Sequence, residues 1–242
     1  MAIPKIIHYC WFGHGKMPKL AIHCIDSWKK YLPDYEFILW KEDNFDINCN
    51  QFVKEAYESR KYAFVTDYVR LYALYNYGGI YMDTDVEVLK SLDKFLEHQA
   101  FTGCENERMC VTGIMATEKN HKWIEDLLKE YDDRRFILTD GSIDNTPNTQ
   151  MITQVTIKKY GWKPKNEHQI LKEGLNIYPF DFFCAKNWQT GRIHISENTH
   201  TIHHFSGSWH SRMDKLKNKI QRIIGPQGTR LIVKVKKKIK GL

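Results

Sequence analysis

The stretch YAFVTDYVRLYALYNYGGIYMDTDVEV, residues 62–88, constrains this chain more than any other part of it. Its first part has the 3.6-residue periodicity of an amphipathic helix, with Ala63, Leu71 and Leu74 among the apolar positions. Asp67 and Arg70 are three apart, so both project from one face of that helix. Gly78-Gly79 supplies the stop, because glycine readily takes the left-handed conformation at a helix C-terminus. Ile80-Tyr81-Met82 then reads as a short buried strand ending at Asp83-Thr84-Asp85. Two carboxylates two residues apart at a strand end offer oxygen ligands to a hard divalent cation. A bare D-x-D is most often a solvated turn; the strand before it, and the Asp/Arg helix before that, reverse the odds.

The flanking sequence supplies a sheet for this block to sit in. Ile3–Tyr9 reads as a first strand leading to Cys10-Trp11-Phe12-Gly13, and Lys19–Tyr31 as a helix with Leu20, Cys24 and Trp28 on one stripe. Pro33-Asp34 marks a turn and Tyr35–Trp40 a second strand. Strand, helix and strand in this order form a βαβ unit with a parallel pair. Helices are expected at about 51–59 and 62–76, strands at Phe101–Cys104, Val111–Ala116 and Leu175–Pro179, and helices at His121–Tyr131 and Met151–Tyr160. Asp140–Gln150 has the polar chemistry of a loop. Ligands of such sheets bind beyond the carboxyl ends of the strands, where Trp11 and the D-x-D both fall. The expected class is therefore α/β, Rossmann-like, with a mixed, mostly parallel central sheet.

The net charge of +7 sits almost wholly in the tail. Residues 212–242 carry eleven Lys or Arg against one acid, Asp214, and the rest of the chain is about −3. Met213, Leu216, Ile220, Ile223 and Ile224 recur there at helical spacing before Gly225-Pro226, and RLIVKVKKKIKGL follows. The division expected is a catalytic domain at 1–211 and a basic amphipathic tail at 212–242. Such a tail suits an anionic membrane surface, with a helix packed on the body as the plainer alternative. Nucleic acid is not expected, since the tail lacks aromatics and the body is acidic. No apolar run approaches a bilayer span, and MAIPKIIHYCWFG lacks the order of a signal peptide. The six cysteines show no zinc spacing and read as buried, reduced thiols. A cytoplasmic protein, peripheral on the inner face of the membrane, is the expectation.

Late in the body, Thr201-Ile202-His203-His204-Phe205-Ser206-Gly207-Ser208-Trp209 reads as a strand followed by a small-residue loop. Paired histidines before such a loop point to a functional site rather than to core packing alone.

Taken together, IPKIIHYCWFG, PDYEFILW, AFVTDYVRLYALYNYGGIYMDTDV and HHFSGSW resemble, in order, the D-x-D glycosyltransferases of the sugar-binding-region type. This is glycosyltransferase family 32, related to the yeast initiating α-1,6-mannosyltransferase and to the glucosyltransferase domain of the large clostridial toxins. The resemblance spans about residues 3–209 and is loose over 104–198. It implies a GT-A fold, a nucleotide-sugar donor (UDP favoured) and Mn²⁺ or Mg²⁺. It implies that Trp11 stacks on the base and that Asp67, Arg70 and Tyr81 contact the donor. Asp83 would face ribose and sugar, Asp85 would bind the metal, and His204 would be the late metal ligand. Ser208 and Trp209 would lie against the diphosphate. No residue is matched to the polar group beneath the anomeric carbon; Asn148 and Gln150 stand in that region without an assignment.

The implied activity is retaining transfer of a hexose or N-acetylhexosamine to a glycan acceptor, polyprenyl-diphosphate-linked, in capsule or surface polysaccharide assembly. The chemistry agrees with the residues, because a nucleoside diphosphate leaving group develops charge that a cation stabilises. Two other readings stand beside it: a nucleotide-sugar-binding module without catalysis, and a D-x-D phosphohydrolase, for which Met82-Asp83-Thr84-Asp85-Val86 also fits a nucleophile motif.

Overall fold

In the computed structural model the described residues are 2–111 and 113–207. They form a seven-stranded sheet in the order β2-β1-β3-β6-β5-β8-β7 and a two-stranded sheet, β4-β9. The strands are β1 (Ile6–Cys10), β2 (Glu36–Trp40), β3 (Gly79–Met82), β4 (Val86–Val88), β5 (Ala100–Gly103), β6 (Ile114–Thr117), β7 (Gln169–Ile170), β8 (Leu175–Tyr178) and β9 (Thr201–His203). β1 pairs in parallel with β2 and β3, and β5 with β8, whereas β6 and β7 run antiparallel to their neighbours. The sheet is thus mixed with most strands pointing one way, as expected.

The helices are α1 (Lys19–Tyr31), α2 (Gln51–Glu58), α3 (Tyr62–Tyr77), α4 (Lys122–Leu128), α5 (Asn148–Val155) and α6 (Phe180–Phe183). Helix α1 follows Pro18, buries Ala21, Cys24, Ile25 and Trp28, and closes where Leu32 N–H bonds back to Trp28 O before Pro33. The Asn50 side chain accepts from Phe52 and Val53 N–H, satisfying two donors that the start of α2 would otherwise orphan. Side chains alternate across the sheet, so Ile80 and Met82 join the core beneath α1 while Tyr81 joins the core beneath α2 and α3. Helices cover both faces, and the D-x-D emerges from the edge between them.

The turn from α3 into β3 depends on its glycines. Gly78 ends α3 at φ 69° and Gly79 follows at φ 98°. A Cβ on Gly79 would lie 2.7 Å from Ile6 O, and one on Gly78 2.7 Å from Lys119 N. His8 of β1 locks this joint: Trp40 Nε1 donates to its Nδ1 at 3.1 Å, and its Nε2 donates to Gly78 O at 2.8 Å. Burial lowers the His8 pKa to about 4, so the ring is neutral and serves as a joint.

Several local expectations are corrected. β4, β7 and α6 are additional elements, too short for periodicity to register. α5 starts at Asn148, inside the stretch read as a loop, where Pro147 stands immediately before the first helical residue. β6 begins at Ile114 rather than Val111, and α4 ends at Leu128 in a tighter turn through Tyr131. Cys49 is exposed, unlike the other five thiols, because it sits in a short turn between β2 and α2. No helix among the described residues is long and apolar enough to cross a membrane. Ser208, Trp209 and the tail 212–242 lie outside the described residues, as does the expected boundary at 211.

Candidate metal and donor site

Asp83 and Asp85 leave the end of β3 in a turn closed by Val86 N–H bonding to Asp83 O at 3.0 Å. Beyond it, β4 pairs antiparallel with β9, with Val86 opposite His203 and Glu87 opposite Ile202. His204 N–H continues the ladder to Asp85 O at 2.9 Å. Helix α1 holds β4 in place, since Trp28 Nε1 donates to Val86 O at 2.6 Å and Ser27 Oγ accepts from Val88 N–H at 2.9 Å. This small sheet carries a histidine from near the end of the described chain to the D-x-D.

The histidine that arrives is His203. One ligand atom from each of Asp83, Asp85 and His203 lies within 4.8 Å of the others. His203 Nε2 is 3.4 Å from Asp85 Oδ1 and 3.9 Å from Asp83 Oδ2. The His204 expectation is corrected. Alternation along β9 turns its ring to the other face, where Nε2 meets Glu87 Oε2 at 2.8 Å, with His23 3.3 Å from the second Glu87 oxygen. Asp85 also accepts from Ser206 N–H at 2.7 Å. Burial alone would raise the Asp85 carboxyl, but the imidazole of His203 and the Ser206 N–H hold it well below the usual carboxylate range. His203 responds in kind: burial disfavours its charge, and Asp85 outweighs burial and raises its pKa well above 6.5. Gly113 leaves room for the cluster, as a Cβ there would lie 2.7 Å from Val86 Cγ2 and 3.2 Å from Asp83 Oδ2. Two carboxylates and one imidazole fit a hard or borderline divalent ion such as Mn²⁺ or Mg²⁺.

Asp67 and Arg70 of α3 stand directly behind. Arg70 Nη2 is 3.2 Å from Asp67 Oδ1 and 3.2 Å from Asp83 Oδ1, and Tyr81 O–H donates to the same Asp83 oxygen at 2.9 Å. The guanidinium lies 4.6 Å from the centre of the Tyr81 ring. Burial works against the Arg70 charge, but Asp83, Tyr81 and Asp67 outweigh it. Asp67 has less help: burial pushes its carboxyl up to about 6, against Arg70. Arg70 Nε is buried with no protein partner, a donor left over for a ligand oxygen. Trp11 follows β1, its Nε1 donating to Gly15 O at 2.5 Å and its ring half-buried in the Cys10–Gly15 loop.

Three further groups were not expected from the sequence, and a fourth, Asn148, was named there without a role. The Tyr131 O–H is buried without a partner, with the Asp67 and Arg70 charges acting on it. Arg134 also acts on Asp67 and clamps the following loop, its Nε donating to Asp144 Oδ2 at 2.8 Å. Two residues beyond Thr146, Asn148 is buried with Nδ2 unpartnered, while Gln150 is exposed. Glu105, just beyond β5, feels His203 and Asp83, and burial raises its pKa. For Asn148 the available signal is its place before an apolar run after proline; the other three follow from tertiary contacts only.

Comparison with known proteins bears on this geometry. The family described as "Glycosyltransferase sugar-binding region containing DXD motif" matches residues 18–102, which include Asp67, Arg70, Asp83 and Asp85. Residues 18–102 are therefore similar to the sugar-binding region of D-x-D glycosyltransferases. The chain is 32% identical over 127 residues to inositol phosphoceramide mannosyltransferase 3 of Schizosaccharomyces pombe, covering 51% of this chain and 35% of that protein. It is 30% identical over 149 residues to the mannosyl phosphorylinositol ceramide synthase SUR1 of Saccharomyces cerevisiae, covering 56% and 37%. A match at 31% identity over 111 residues, covering 35% and 17%, is to subversion of eukaryotic traffic protein A of Legionella pneumophila. The chain thus spans about a third of the length of these yeast relatives. Among solved structures, the PaToxG glycosyltransferase aligns with a TM-score of 0.47 at 18% identity, over 65% of this chain and 70% of that one.

Proposed function

We propose that this protein is a metal-dependent glycosyltransferase that moves a hexose from a nucleotide-sugar to a lipid-linked acceptor. The observation that carries the reading is the convergence of Asp83, Asp85 and His203 on one point, with the Asp67–Arg70 pair immediately behind. Asp83, Asp85 and His203 would hold a divalent ion, which supplies Lewis-acid stabilisation to a departing diphosphate. Arg70, whose Nε is buried without a protein partner, would offer its guanidinium to the donor, and Asp67 a carboxylate to sugar hydroxyls. Trp11, Ser208 and Trp209 are proposed as base and diphosphate contacts by resemblance. Retention of configuration belongs to the same reading, the leaving phosphate oxygen taking the acceptor's proton.

The lipid-linked acceptor is supported by the basic tail and by relatives named for ceramide substrates. With these goes a peripheral position on the inner face of a membrane, and a role in capsule or surface polysaccharide assembly. A UDP-sugar is the proposed donor; the mannosyltransferase names bring GDP-mannose into the test as the second choice. Asp83 Oδ1 already accepts from Tyr81 and Arg70, an arrangement suited to orientation rather than to nucleophilic attack as in a phosphohydrolase. Nucleotide release is to be measured from a panel of UDP- and GDP-sugars, with Mn²⁺ and with EDTA, without acceptor. Slow release from one donor that EDTA abolishes is expected. Tight donor binding without turnover across a wide acceptor panel would move the protein to the non-catalytic reading.

A further inference from the structure

The segment between α6 and β9 folds as a hairpin that the proposed chemistry does not use. Lys186 pairs with Ile193, His194 N–H bonds to Ala185 O at 2.8 Å, and Asn187 N–H bonds to Arg192 O at 2.9 Å. The Asn187 side chain closes the tip by accepting from Gln189 and Thr190 N–H, and Gly191 takes φ 72° to turn the chain. This well-bonded hairpin holds apolar side chains out in solvent: Trp188 is 46% exposed, Ile193 45% and Ile195 61%. Ile193 and Ile195 lie two residues apart on the returning arm, and Trp188 stands at the tip. Single exposed apolar residues need no explanation, but here three fall within eight positions of one hairpin.

Its surroundings say what covers it. Arg192 is exposed on the same hairpin, and Lys90 reaches its base, donating to Glu197 O. Glu197 is the exposed acid nearby; Asp181 is occupied with Ser196 and Asn198. Lys186 Nζ donates to His204 O at 2.9 Å, which ties the hairpin to the strand end that carries His203. The described chain ends three residues later at Gly207, and the +10 segment begins at Arg212. An aromatic tip, two isoleucines and flanking cations beside the origin of a basic amphipathic tail match an anionic bilayer surface better than a protein groove.

We propose that the 185–195 hairpin is a lipid-contact element that lays Trp188, Ile193 and Ile195 into an anionic phospholipid surface. It thereby fixes which way the Asp83–Asp85–His203 cluster faces the bilayer. The proposal rests on the membrane-surface part of the reading above and deepens it by naming a second point of contact besides the tail.

The test is co-sedimentation of the full chain with phosphatidylcholine vesicles and with phosphatidylcholine–phosphatidylserine vesicles. The W188S/I193S/I195S variant, checked for an unchanged thermal melt, is expected to lose about tenfold in partitioning to the mixed vesicles. Its acceptor-free nucleotide release should remain that of the parent. A second measurement compares quenching by bromine-labelled lipid in the parent and in Trp188→Phe, where loss of a quenched component is expected. Parent-like partitioning by the folded triple variant overturns the proposal. So does a dimer that this variant converts to monomer without changing vesicle binding. Selective loss of turnover on a soluble glycan, with vesicle binding intact, overturns it in favour of an acceptor contact. Failure of the transferase reading would appear separately, as parent protein that binds vesicles and releases no nucleotide.

Discussion

His8 and His203 flank the same strand, β3, and their surroundings drive them in opposite directions. His8 is sealed between β1, β2 and the glycine turn with only neutral partners, so burial lowers its pKa to about 4. The His203 side chain is nearly as enclosed, at 11% exposed, yet Asp85 outweighs the desolvation and raises its pKa. Burial alone therefore does not distinguish a structural imidazole from a functional one. A neighbouring carboxylate does. The joint at the start of β3 is built for rigidity, and at its other end two carboxylates face an imidazole whose charged form Asp85 favours.

The comparison breaks most sharply at its two ends. Asp85→Ala should lower metal-dependent turnover on the order of a thousandfold while the circular dichroism spectrum stays that of the parent. Gly79→Ala should do the reverse, destabilising by roughly 2–4 kcal/mol in a denaturant titration, because φ 98° and the approach to Ile6 O leave a methyl no place.

A smaller effect appears with pH in metal-free protein. His8 has a folded pKa below its unfolded value, so its contribution is complete above about 6.5 and is lost as pH falls toward 4. The loss should be on the order of 3 kcal/mol and absent in His8→Gln, whose baseline stability is lower. His203 has the opposite sign: its raised pKa contributes stability fully below about 6.5, and this is lost as pH rises through the folded pKa. Metal binding should accordingly tighten with rising pH and release protons, measurable by calorimetry in buffers of different ionisation enthalpy.

The smallest effect concerns Asp67. Its folded pKa of about 6 lies above the ordinary carboxylate value, so its ionisation costs stability as pH rises from about 4 to 6. Asp67→Asn should gain about 1–2 kcal/mol at neutral pH while weakening discrimination among donor sugars. A destabilised Asp67→Asn would show that the ion pair with Arg70 outweighs burial.

Most of the first half of the fold was legible, because α1, β2, α2 and α3 carry readable patterns and Pro33 and Gly78-Gly79 punctuate them. Asp67, Arg70, Asp83 and Asp85 were legible for the same reason: one helix and one short strand fix all four. The choice between His203 and His204 was not. It depends on the register of β9 against β4, and a three-residue strand reading Val-Glu-Val gives little periodic signal of its own. Once the pairing is known, alternation places His204 beside Glu87 and leaves His203 for the D-x-D. Tyr131, Arg134 and Glu105 lay beyond reach for a different reason, since each meets the site through tertiary contacts made by irregular chain.

The most direct test titrates Mn²⁺ into the parent, His203→Ala and His204→Ala and reads bound metal by electron paramagnetic resonance. The parent should bind one ion, His203→Ala should lose at least about tenfold in affinity, and His204→Ala should stay within a factor of about two of the parent. Loss in His204→Ala with retention in His203→Ala would contradict the cluster on which the proposed function stands.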